Sequence, residues 1–145
     1  MSTAENADIS RLKVMFDHRM TQGGAGRYAR ELIAAIKQQT PRPRVQVFGP
    51  ALDKRGKRLT AAFTPSGRLM LGRAASHWGA DIVHGLHFEI PAKGGSKKVV
   101  TIQDLIPLDF PASMPNRLRR SAFRRIIDSS IEAADAIIVP SDVTG

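Results

Sequence analysis

Five short, mainly apolar runs punctuate this chain, and they constrain its fold more than any other feature. They are Leu12–Phe16, Val45–Phe48, Asp81–His84, Val99–Ile102 and Ala136–Val139. None alternates apolar with polar residues, as a strand with one wet face would. Continuous runs of this length suit strands covered on both faces, the signature of a parallel sheet. Segments of helical period lie between them. Tyr28, Leu32 and Ile36 recur on one face with Ile33 widening it, and Pro41 and Pro43 end that helix. Leu69–Trp78 reads as a second helix stopped by Gly79. A third over 117–134 is capped by Asn116 and aligns Phe123, Ile127 and Ile131. The order predicts an α/β fold, with a parallel sheet and helices on both faces.

A length of 145 residues suits a single core. Residues 1–11 read as a polar leader and 12–145 as the domain. The opening MSTAENADIS carries Glu5 and Asp8 and is no secretory signal. No apolar run reaches the ~18 residues of a membrane span. The chain has no cysteine, which removes disulfide frameworks and thiolate metal sites and fits a reducing compartment. A cytoplasmic protein is expected. DKRGKR at 53–58 reads as an exposed basic loop, Pro107, Pro111 and Pro115 as a rigid connection, and Ser141 as the cap of a further helix.

In a parallel sheet, ligands gather at the carboxyl ends of the strands. Three segments fall there: the glycines after the first strand, the loop after DIVH, and QDLIP after VVTI. The glycines of TQGGAGRY join a strand to a helix, where backbone N–H groups gather partial positive charge. The spacing is neither GxGxxG nor a GK[ST] phosphate loop. From the residues alone, a tight turn and a phosphate cradle are both open.

The flanking segments add a resemblance. Asp17-x-Arg19, then GGAGRYARELIAAI, DIVHG, VVTIQDLIPLDFP, the basic RLRRSAFRR and finally ADAIIVPSDVT follow one another in order. This series, from about Lys13 to Thr144, resembles the N-terminal half of retaining glycosyltransferases of family four. The resemblance implies a Rossmann-like domain, one half of a GT-B fold, that chiefly holds the acceptor. A C-terminal domain in such enzymes binds the nucleotide-diphosphate sugar. Carried over by position, Gly23 and Gly24 would offer N–H groups to the donor diphosphate, and Gly26 would allow close helix packing. Arg27, His87 and Glu89 would face the acceptor, a glycan or lipid-linked sugar. Gln103 and Asp104 would lie at the reacting centre, with no metal and no cofactor.

Two departures from that family matter. Gln103 stands where the family has a histidine, in TIQDL rather than TIHDL. Glutamine donates and accepts hydrogen bonds but takes up no proton, so an acid–base role there is lost. The sequence also ends at PSDVTG, where such a chain would hand over to its donor domain. The expectation is a half-cleft, inactive or nearly so by itself, completed by a donor domain on a longer chain or a separate protein. The alternative is a non-catalytic fragment that binds a partner glycosyltransferase, anionic lipid or a nucleotide sugar.

The remaining candidates have plain structural readings beside the functional ones. His84 and His87 are three apart, but on a strand and loop and without a third ligand they make a poor metal site. His84 reads as a packed strand-end residue. Asp109 reads as a loop carboxylate pairing with an arginine. The net charge of +9 draws phosphates without choosing among their carriers. Arg117, Arg120 and Arg124 share one face of the last helix, broadened by Arg119 and Arg125. That face suits peripheral attachment to an anionic inner membrane surface, and equally a solvated exterior. Few aromatics and no nucleic-acid motif argue against a nucleic-acid partner.

Overall fold

The computed structural model describes residues 8–51 and 60–140. The expectations for residues 1–7, for the DKRGKR loop and for Ser141 lie outside them. The chain runs β1 (Lys13–Asp17), α1 (Gly23–Gln38), β2 (Arg44–Phe48), α2 (Pro65–Trp78), β3 (Ile82–Gly85), β4 (Lys97–Thr101), a short α3 (Ile106–Asp109), α4 (Arg117–Ala133) and β5 (Ala136–Ile138). The strands form one sheet in the order β2-β1-β3-β4-β5. Every pairing is parallel. This is a Rossmann-like α/β fold.

Helices cover both faces because successive β1 residues point to opposite sides. Val14 and Phe16 pack with Ala29 and Ile33 of α1 and with Leu86. Met15 turns the other way, onto Leu71 and Ala75 of α2, together with its register partner Val83. Farther along that second face, Val100 and Ile102 meet Phe123 and Ile127 of α4. The link from β3 to β4 is an irregular segment rather than a helix, and it contributes Phe88 and Ile90 to the same cluster. The α1 stripe of Tyr28, Leu32, Ile33 and Ile36 faces the core as its spacing predicts. On α4, Phe123 and Ile127 are buried, whereas Ile131 at the end of the row stays 41% exposed.

Several boundaries differ from the sequence reading. The three glycines are not a turn ahead of α1. Helix α1 begins at Gly23, with Gln22 as its N-cap. Helix α2 begins four residues before Leu69, because the Thr64 hydroxyl caps the Gly67 N–H and Pro65 opens the first turn. Gly79 closes α2 in the left-handed conformation, as expected. Strand β4 starts at Lys97, two residues before the apolar run, since its ladder with Ile82 and Val83 uses only backbone. Lys97 is accommodated there by an exposed ion pair with Asp135 at 2.9 Å. The proline-rich connection holds α3 and a 3₁₀ turn at Pro111–Ser113. Asn116 caps α4 through the N–H groups of Leu118 and Arg119, matching the sequence.

Candidate functional site

Strand order reverses beside β1: the chain steps outward to β2 and then returns to place β3 on the other side. In such sheets the crevice opens where the connections diverge, at the carboxyl ends of the two flanking strands. Here those ends are the register partners Asp17 and Gly85. The residues that follow them, His18-Arg19 and Leu86–Glu89, build the most polar part of the interior.

At its centre is an ion network with almost no exposed surface. Arg19 grips Asp17 with two parallel bonds, Nε to Oδ1 at 2.9 Å and Nη2 to Oδ2 at 2.6 Å. The same Nη2 lies 3.2 Å from Glu89 Oε2. His87 Nε2 sits 3.6 Å from Asp17 Oδ2 and 4.0 Å from Glu89 Oε2. Arg68, on the second turn of α2, approaches Glu89 Oε1 at 3.9 Å while donating to Ile90 O and Ser129 Oγ. Two carboxylates and two guanidiniums balance formally around His87. Forked arginine–carboxylate pairs are among the stronger ion pairs, and burial makes losing one partner costly.

The Thr60–Thr64 segment closes over this network. Arg19 Nη1 donates to Ala61 O at 3.1 Å, and the Phe63 N–H donates to Glu89 Oε2 at 2.7 Å. The Phe63 ring meets His87 edge-on at 5.7 Å and Phe123 at 5.9 Å. Gly67 lets the start of α2 approach, since a Cβ there would strike Ala61 O and the Arg19 guanidinium. Phe63 and Phe88 both hold positive φ, 59° and 61°, a conformation unfavourable for bulky residues. Four buried nitrogen or oxygen atoms here, His18 Nε2, Arg68 Nη2, His87 Nε2 and Glu89 Oε1, have no hydrogen-bond partner among the described residues.

Burial sets the titration of these groups. It holds His87 below the ordinary imidazole range, against the pull of Asp17. It raises Glu89, although Arg19, the Phe63 N–H and Arg68 oppose the rise. It lowers Arg68 as well. Burial also works against the Arg19 cation, but the Asp17 hydrogen bond and the charges of Asp17 and Glu89 outweigh it and hold its pKa above the usual value. His84, packed on Phe16 and bonded to Thr101 Oγ1 at 2.9 Å, is pushed down to about 4 by burial.

The structure sorts the residues singled out from sequence. Gly23 and Gly24 are exposed at the start of α1, and no side chain caps that end. Gly26 is buried against the Thr21 backbone, where a Cβ would collide. Its N–H bonds Gln22 O. Gln103 and Asp104 are half-buried after β4. Gln103 Nε2 reaches Leu86 O at 3.4 Å, which ties two of the three loops together, and Asp104 Oδ1 accepts from the Ile106 N–H. Arg27 is exposed and pairs with Glu31 one helical turn on.

His87 and Glu89, the residues read as facing the acceptor, are 1% and 0% exposed, because the β3–β4 link turns inward beneath Phe63. Asp109 is exposed in α3 and forms no ion pair among the described residues. Arg117, Arg120 and Arg124, with Leu108 and Ser121, line a shallow recess of about 310 Å³. No three His, Cys, Asp or Glu side chains among the described residues are placed to hold a metal ion.

Sequence reasoning passed over Asp17, Arg19, Phe63 and Arg68 as site residues. The D-x-R spacing was a usable signal for the fork. Nothing local marks Phe63 or Arg68, which come from a loop and helix far along the chain. Compared with known proteins, the chain matches no family model and no curated relative. No helix among the described residues is long and apolar enough to cross a membrane.

Proposed function

We propose that this chain is the acceptor-side half of a retaining glycosyltransferase of GT-B type, moving a hexose from a nucleotide-diphosphate sugar to a glycan or lipid-linked acceptor. The observation that carries the reading is the clustering of its three motif segments. GGAG, VHGLHFE and IQDL follow β1, β3 and β4 and share one edge of the parallel sheet. Gly23 and Gly24 there present N–H groups without a capping side chain, suited to a phosphate brought by a donor domain. Gln103, tied to Leu86 O, would position the acceptor without moving a proton. Orientation supplies much of the rate in such reactions, so this half alone is expected to be inactive.

The test joins the chain to a donor domain and assays transfer from a panel of nucleotide sugars. Transfer that falls on Gly24→Val supports the reading. Gln103→His then separates an eroded acid–base position, where activity would rise, from one that works by positioning. No transfer and no nucleotide-sugar binding by the completed protein would remove it in favour of a non-catalytic binding fragment.

A second reading concerns where the domain works. Phe110 and Leu118 are 63% and 82% exposed, and Ile106 is 51% exposed. They belong to α3, its C-cap and the start of α4, beside Arg117, Arg120 and Arg124. Apolar side chains set among arginines support docking of this corner on an anionic membrane surface, which would place the chain peripherally at the inner face.

A further inference from the structure

We propose that Thr60–Thr64 is a gate, with Phe63 as its latch, over an occluded hydroxyl-binding site formed by Arg68, His87 and Glu89. Buried polar atoms in folded proteins nearly always have partners. Here three atoms on neighbouring side chains lack them among the described residues: Arg68 Nη2, His87 Nε2 and Glu89 Oε1. One is a donor, one an acceptor, and an imidazole nitrogen serves as either. Burial depresses His87 and so preserves the neutral ring with both capacities.

The ligand class follows from charge. The network holds Asp17 and Glu89 against Arg19 and Arg68, all tightly grouped. An added anion would meet two carboxylates, and an added cation two guanidiniums. A neutral group that both donates and accepts satisfies every orphaned atom without disturbing that balance. Hydroxyls do so, whether on water or on a polyhydroxylated ligand.

The segment is held by the Phe63 N–H on Glu89, by its ring on His87 and Phe123, by Ala61 O on Arg19, and by the Thr60 hydroxyl, which donates to Gly49 O and accepts from the Ala51 N–H. It is also under tension. Two bulky residues hold positive φ here, Phe63 in the segment itself and Phe88 between His87 and Glu89. Backbone strain of this kind collects at clamps and switches. Lifting the segment releases Phe63 from that conformation and bares the group at the carboxyl edge of the sheet, where ligands of parallel folds bind.

The inference rests on the acceptor-side reading only for a sugar as the natural source of the hydroxyls. Its test reads binding by the chain without a donor domain, so its failure is distinct from a failure of transfer. Imidazole signals of His87 are followed by NMR in the wild type and in Phe63→Ala, which removes the ring and keeps the disfavoured positive φ. D-mannose and D-glucose are the probes, against buffer alone. The expected result is a shift of His87 with either sugar, at an apparent affinity roughly tenfold tighter in Phe63→Ala, since the closed state competes less. A folded variant whose His87 ignores both sugars overturns the proposal and leaves water as the sole occupant. If Phe63→Ala fails to fold, amide exchange in the wild type decides. Sugar should quicken exchange of the Phe63 N–H by taking away its Glu89 acceptor, and an unchanged rate overturns the proposal.

Discussion

Arg19 folds back onto Asp17, two residues earlier, and the guanidinium fork closes on both carboxylate oxygens at 2.9 and 2.6 Å. The pair turns the chain at the end of β1 and carries a cation under the sheet edge to reach Glu89, seventy residues along the sequence. One short motif thereby joins β1 to the link that follows β3.

Removing the arginine strands two carboxylates. Arg19→Met should destabilise the fold by about 3–5 kcal/mol, the usual cost of an uncompensated buried charge. Arg19→Lys should recover only part, because an ammonium cannot make the two-pronged contact. Urea unfolding would check both, and a loss below about 1 kcal/mol for Arg19→Met would contradict the network as drawn.

Acid should unfold the protein partly through His84. Its folded pKa is lowered from 6.5 to about 4. The unfolded chain therefore binds the proton first, and stability falls as pH drops from about 6.5 to about 4, levelling below. The loss should be roughly 3 kcal/mol. His87 is depressed too and adds to it, whereas the raised Glu89 works the opposite way. His84→Gln should flatten this slope, which melting curves across that pH range would show.

Two neighbouring glycines should respond oppositely to alanine. Gly24 has open space around the position of a Cβ, so Gly24→Ala should stabilise α1 by about 0.5–1 kcal/mol. Gly26→Ala would drive a methyl into the Thr21 backbone and should cost about 1–3 kcal/mol. Thermal melts of both variants test the claim that only Gly26 is required for packing.

Arginines on α4 should govern any attachment to anionic membranes. Charge reversal at Arg117 and Arg124 should abolish retention by phosphatidylserine-rich vesicles, and Leu118→Ser should weaken it. Each basic side chain near such a surface contributes about 1 kcal/mol. Wild-type protein that floats free of these vesicles even at low salt would show that the face is merely solvated.

The central strands β1 and β3 and the buried stripe of α1 were legible because burial favours apolar residues there, whereas the edge strands β2 and β5 have no buried residue and were marked only by their short apolar runs. Asn116 and Gly79 announced their caps through residue type alone. The start of α2 was also present in Thr64-Pro65, a cap followed by a first-turn proline, but the apolar period does not begin until later. The lysines opening β4 concealed its true start, since backbone pairing is indifferent to side-chain charge.

The sequence by itself determined the alternation of strands and helices, and with it which loops share the carboxyl edge of the sheet. That much follows from local periodicity and the limited ways a parallel sheet can be covered. It could not reveal that His87 and Glu89 turn inward, because their surroundings come from Asp17, Arg19, Phe63 and Arg68, scattered over fifty residues of chain. Whether a charged side chain lies in water or under a phenylalanine depends on partners brought together only by folding. The tertiary structure decided that these residues form a closed, balanced network rather than an open surface.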